Sequence, residues 1–358
     1  MTRLLEIRDN IKVLFSKYDV FVIPVLKFLL ALIMLIMING KLGYMSKLGN
    51  PGIVIIVSLA CSFLPTGAIL LFGALFSMGH VFALSPEVAI VVAVVYMLIY
   101  LLYLRFTPNE SLCIVVTPML FVFHVPYVIP VVMGLIGGPA SALSVICGVI
   151  IYFTLHVVTQ NAANVSGDLS DIMGQIRLII DSLLGNKQMI VLIAAFAIVT
   201  ITVYIVRRLP IEHCWTIAMI SGAVLCMVVT LIGGLVTNAG FSIIGIIFGC
   251  ILAVGVGKVI EFFKFCVDYT RTERVQFEDD EYYYYVKAVP KMNVSAPDRK
   301  VKNINRSHVK RPIRSSLSDA APMDTAEMDT TELDSSYFGD TTDFGNTTDI
   351  LDTEELKK

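Results

Sequence analysis

The stretch Met189–Val206 reads MIVLIAAFAIVTITVYIV, is closed by Arg207 and Arg208, and is followed at Cys214–Val236 by CWTIAMISGAVLCMVVTLIGGLV. At about 1.5 Å of rise per residue, roughly twenty apolar residues are needed to cross a hydrocarbon core about 30 Å thick. Both runs meet that length without an internal charge, and a short loop carrying two arginines joins them. Outward from this pair, further apolar runs lie at Val20–Ile38, Gly52–Ala83, Val88–Phe106, Leu112–Gly138, Ala140–Val158 and Phe241–Cys266. Taken one span each, they predict an all-α membrane protein with about eight transmembrane helices.

Composition agrees. The chain is 56% hydrophobic and 16% charged, against about 45–50% and about 25% for a soluble domain, so the excess apolar surface must face lipid. Nearly all charge lies in the first nineteen positions, a few short loops and the region after Val267. The predicted organisation is an interfacial helix over 1–17, a polytopic membrane domain over 18–267, a juxtamembrane β-like segment over 268–296 and a disordered cytoplasmic tail over 297–358. In the first segment Leu4, Ile7, Ile11, Leu14 and Phe15 share one helical face, as in a helix lying in the bilayer surface. No small-residue cleavage site closes Val20–Ile38, which predicts a retained anchor.

Two runs do not read as straight spans. Gly52–Ala83 would reach about 48 Å as one helix, so it must bend, break or re-enter, and Pro65 is the predicted place. Leu112–Gly138 carries Pro118, Pro126 and Pro130 and is also expected to be interrupted. Gly52–Phe106 and Leu112–Val158 share an order of features: a proline-broken segment, a Ser85-Pro86 or Gly138-Pro139 turn, then a clean helix. With one span per run, both units enter from the outer side, which makes the expected repeat parallel. Interrupted helices in repeats often line transport sites, so the candidate pathway residues are Pro65, Thr66, Thr117, His124, Pro126, Pro130 and Asn161. Each also has a structural reading as a kink or a satisfied packing group.

Orientation follows from the basic residues. Arg207, Arg208, Lys258, Lys264, Arg271 and Arg274 flank spans whose opposite loop, Thr237–Gly240, is uncharged. The positive-inside rule therefore predicts a cytoplasmic (plasma) membrane protein with both termini cytoplasmic. Lys41, Lys47, Arg105 and segment 159–187 then fall outside, and this segment carries an amphipathic pattern through Leu169, Ile172, Met173, Ile176, Ile179, Ile180, Leu183 and Leu184. Thr107-Pro108-Asn109-Glu110 reads as a capping box. In the last run Gly245, Gly249, Ala253 and Gly257 recur every four residues, predicting a close helix contact within the chain, with a homodimer as the alternative.

Beyond the last run the string QFEDDEYYYYVKAVPK favours a strand ended by proline, with the acidic cluster as a hairpin tip. The same string resembles a feature of uncharacterised multi-pass membrane proteins of Gram-positive anaerobes, some loosely called permeases. Arg299, Lys300, Lys302, Arg306, Lys310, Arg311 and Arg314 form a basic stretch expected to bind the anionic inner leaflet rather than nucleic acid. After Asp319 the chain is acidic and threonine-rich, as in a disordered segment.

The seven cysteines form no CxxC pair and read as buried hydrophobes. There is no nucleotide-binding loop, zincin helix or catalytic elbow, so the sequence points to no enzyme and no cofactor. The expected function is a permease-like membrane subunit, working as a secondary carrier or with a separate ATPase. The alternative is a membrane scaffold that recruits a cytoplasmic binding protein through the tail.

Overall fold

In the computed structural model, which describes residues 2–165, 172–264, 273–278 and 282–288, α1 (Thr2–Lys17) precedes a first pass, α2 (Asp19–Lys41). The face at which α2 starts is called the near side here, and the face at which it ends the far side. Ile7, Ile11, Leu14 and Phe15 of α1 are exposed, leaving an apolar face free for lipid. Arg8 is buried, with its guanidinium 5.9 Å from the Phe262 ring.

The chain returns through α3 (Pro51–Phe63), where Asn50 caps the first turn by accepting from the Gly52 N–H and Pro51 supplies a preset φ. At 13 residues, α3 is only about 20 Å long. It nevertheless reaches near-side residues of α2: Ser62 Oγ donates to the Pro24 carbonyl at 2.8 Å and Lys27 Nζ to the Leu64 carbonyl at 3.1 Å. Leu64 is extended, the conformation that a following proline favours. From Pro65, α4 (Thr66–Leu84) climbs back beside α2, with Gly73 against Met34 and His80 against Asn39. The run Gly52–Ala83 is thus two antiparallel helices rather than one bent span.

A consequence follows for α5 (Pro86–Phe106). Ser85 caps it from the far side, and Tyr103 near its end lies against Gly67 at the start of α4. The helix therefore descends, and Arg105 lies on the near side instead of the far side that the one-span-per-run reading gave it. The Thr107–Glu110 capping box is also absent: these residues form a turn, closed by Glu110 N–H to the Thr107 carbonyl at 3.0 Å, and α6 begins only at Ser111.

The run Leu112–Gly138 does not cross at all. It forms α6 (Ser111–Val122) and α7 (Val128–Ile136), of 12 and 9 residues, or about 18 and 14 Å. Both ends lie on the near side. Glu110 accepts from Ser141 and Ser144 at the start of α8 (Ser141–Gln160), and Arg207 donates to the Leu135 and Gly137 carbonyls at the end of α7. The first stretch of the expected repeat is entered from the far side and the second from the near side, so the two are opposed in direction rather than parallel.

From α8 the chain reaches the far side, where α9 (Ala162–Val165) and α10 (Ile172–Leu184) lie. Gln175 of α10 accepts from Ser85, and Ile179 and Leu183 are buried while Met173 and Leu184 are exposed. Three antiparallel passes follow: α11 (Lys187–Val206), α12 (Cys214–Thr237) and α13 (Ile243–Lys264). Seven helices, α2, α4, α5, α8, α11, α12 and α13, are long and apolar enough to span, and with α3 they make eight passes. The protein is an all-α multi-pass membrane protein. Beyond it, β1 (Glu273–Glu278) pairs antiparallel with β2 (Tyr283–Ala288), Glu278 opposite Tyr283, so that the acidic cluster falls at the turn. The basic residues Arg299, Lys300, Lys302, Arg306, Lys310, Arg311 and Arg314, and the acidic end, lie outside the described residues.

Packing has two centres. One joins α7, α8, α11, α12 and α13 through Leu135, Phe196, Val203, Met219 and Ala253. The other joins α2, α3, α4 and α6 through Leu35, Cys61, Ile69 and Ile114.

Candidate functional site

The α6–α7 hairpin enters from the near side, stops part-way across and goes back. Its depth is set by aromatic contacts. Phe121 stacks on Tyr152 with ring centroids 4.3 Å apart, and Tyr127 meets Phe196 edge-on at 6.0 Å. Phe196 is midway along α11 and Tyr152 just past the middle of α8, so the tip lies near mid-membrane. At the tip His124 takes a left-handed backbone, φ 61°, and its N–H bonds the Phe121 carbonyl at 3.1 Å. Irregular backbone at this depth is tolerated only inside protein or beside a cavity.

The open base of the hairpin is held from three directions. The Arg207 guanidinium sits at the carboxyl end of α7, where the helix dipole is negative, and it lies 5.1 Å from the Tyr204 ring and 6.0 Å from the Trp215 ring. Lys264 Nζ adds a bond of 3.3 Å to the Ile136 carbonyl. At the other end Glu110 accepts from Ser144 at 2.8 Å and also from Ser141. Its carboxylate thereby faces the amino end of α8, where the dipole is positive.

Between the tip, the two packing centres and α2 lies a cavity of about 300 Å³. Met34, Leu70, Ile99, Ile114, Val115 and Met119 line its apolar depth, and Lys41, His124, His156 and Thr159 lie toward the far side. Pro118 also lines it and has no N–H to offer the carbonyl of Ile114, another lining residue. Ser77 and Tyr96 contribute hydroxyls 3.0 Å apart, and the His156 ring lies parallel to Tyr152 at 5.6 Å. No Asp or Glu is among the lining residues.

Of the candidate pathway residues, His124 alone lines this cavity. Pro126 and Pro130 are buried in the same hairpin, where Pro130 falls in the first turn of α7 and costs no hydrogen bond. Thr117 faces α8 rather than the cavity: its Oγ1 donates to the Cys113 carbonyl at 2.7 Å, and a Cβ on Gly148 would come 2.5 Å from its own Cβ. Pro65 and Thr66 sit at the near-side break between α3 and α4. Asn161 ends α8 on the far side, donating to the Val157 carbonyl at 2.9 Å. None of α10's residues lines the cavity.

The small-residue stripe of α13 turns inward. Gly249 faces the Tyr127 ring, Gly257 faces Met219 and Leu135, and Ala253 is fully buried between them, while Gly245 meets only Ser242. The face that suggested a homodimer is therefore filled from within the chain.

Lys41, Tyr96, Tyr152 and His156 were not singled out from the sequence. Each is a polar or aromatic residue in an apolar run, which is a signal of function or pairing in a membrane. Their gathering depends on α2, α5 and α8 being neighbours, which no local pattern reports. Among the described residues no three of His, Cys, Asp and Glu are grouped as metal ligands. The chain matches no family model, no curated protein and no solved structure.

Proposed function

We propose that the chain is a permease-like membrane subunit whose path for a substrate passes the cavity at the tip of the α6–α7 hairpin. The observation that carries this reading is a pair of half-helices, capped on the near side, whose tip reaches mid-membrane beside a cavity. Such broken helices supply substrate sites because two helix ends and non-helical backbone meet there, away from lipid. The near side is assigned to the cytoplasm, and the energy source to an ion gradient or a separate ATPase subunit. The scaffold alternative rests on the tail, outside the described residues, so no observed geometry favours it.

The test is accessibility at the tip. In a chain whose seven cysteines are replaced by alanine or serine, His124→Cys should react with a charged thiosulfonate added to either face of sealed vesicles. Modification from both faces is the signature of alternating access. Modification from one face only, or from neither, overturns the reading.

A further inference from the structure

The chemistry of the cavity wall restricts what fits. A sugar or amino acid brings several polar groups that need partners once out of water, and the depth of this cavity is lined by Met34, Leu70, Ile99, Ile114, Val115 and Met119. Methionines adapt to a flexible apolar guest. At about 300 Å³ the space stands at the lower end of ligand cavities, about 300–1,000 Å³, enough for a single chain. Toward the far side the wall changes character: Lys41 is basic, with no ion-pair partner among the described residues, His124 and His156 also line the cavity, and among the described residues no carboxylate does so. The helices α2 and α8, which carry Lys41 and His156, both border this end.

From these features we infer that the cavity takes a long-chain amphiphile with an anionic head, a phosphate or carboxylate, its chain along the methionine-lined depth and its head at Lys41 and His156. The inference rests on the permease reading for what happens next, but occupancy is a separate question. An anionic head meets the Lys41 side chain, and charge-assisted bonds of this kind are the strong ones, while a cationic head meets Lys41 with the same sign.

The test uses the full chain in nanodiscs of zwitterionic lipid and a photoactivatable decyl phosphate as probe. Crosslinks should map to α2, α6 and α8 near Met119 and Ile151. Dodecyl phosphate and laurate should compete, and dodecyltrimethylammonium should not. Lys41→Gln should weaken labelling about ten-fold, the scale of one charge-assisted contact. Met119→Trp, which fills the depth, should abolish it, while Met173→Trp on the exposed face of α10 should not. A parallel arm with photoactivatable phosphatidic acid in the disc separates the two sources of such a head group: labelling there means loading from the leaflet, and labelling by free decyl phosphate alone means loading from water. Either result supports the site. Uncompeted labelling, equal competition by the cationic amphiphile, or unchanged labelling in both cavity variants overturns it. If competed labelling persists while the thiol at position 124 is reached from one face only, the amphiphile site stands and the permease reading falls. With access from both faces and no competed labelling, only the substrate class falls.

Discussion

Gly249 and Gly255 lie on different faces of α13, with different surroundings. A Cβ at 249 would come 2.5 Å from Cδ2 of Tyr127, whose ring is held against Phe196, whereas one at 255 would meet nothing within 4 Å. Gly255→Ala should raise thermal stability by up to about 1 kcal/mol through helix propensity. Gly249→Ala should lower it by about 1–3 kcal/mol through overpacking. Thermal unfolding in one detergent compares them directly, and equal effects would deny that the α13 face is tightly packed. The stripe itself was legible in the sequence, because four-residue spacing of small residues needs no knowledge of the partner. What it packs on was not legible, since Tyr127 is more than a hundred positions away. Other residues were misread for the same reason. Glu110 was assigned to its own helix, yet it bonds Ser141 and Ser144 of another. His80 drew no attention, and it ties the α2–α3 loop by accepting from the Met45 N–H at 3.1 Å while Nε2 lies 2.6 Å from the Asn39 amide oxygen.

Among the elements, prolines marked where helices stop but not which way the chain continues. Pro65 and the Pro126 region both break an apolar run. The first break joins two helices that each reach across, and the second joins two that do not. The difference is length after the break: α4 has 19 residues and α7 only 9, and at about 1.5 Å per residue only α4 approaches the membrane thickness. That count was available in the sequence, but treating each run as one span hid it. The short α7 depends on its cap. Arg207→Gln should reduce thermal stability by about 1.5–3 kcal/mol, the range for hydrogen bonds to a charged group. Arg207→Lys should recover only part of this, because an ammonium cannot bond two carbonyls as a planar fork does. The control is Arg208→Gln, whose guanidinium lies over Tyr204 at 4.6 Å and which should change little. If the two glutamine variants melt alike, Arg207 does not hold the hairpin.

For the whole molecule, the errors over 52–83 and 112–138 cancel in the number of passes, so both the estimate of about eight and the placement of the two ends together survive an incorrect path. Between them the path matters: Arg105 joins Arg207, Arg208, Lys258 and Lys264 on the near side, leaving Lys41, Lys47, Arg177 and Lys187 opposite. The proposed cytoplasmic placement of the near side rests on this charge asymmetry. Single cysteines at Gly49 and Gly185 should be labelled by an impermeant reagent on intact cells, and cysteines at Asn109 and Arg208 only after permeabilisation. Labelling of Asn109 together with Gly185 would restore one span per apolar run. The capping of the hairpin also has a bearing on how the chain is made. The groups that close α7 come from Arg207 and Lys264, 72 and 128 residues after the carbonyls they bond. While those later helices are still in the ribosome, α7 has no partner for its last carbonyls and lacks the α11 and α13 surfaces it packs on. The hairpin is therefore expected to settle last. Nascent chains halted at Lys187 should therefore leave a thiol at position 124 open to reagent from the cytoplasmic side, and its modification should slow markedly once synthesis has passed Lys264.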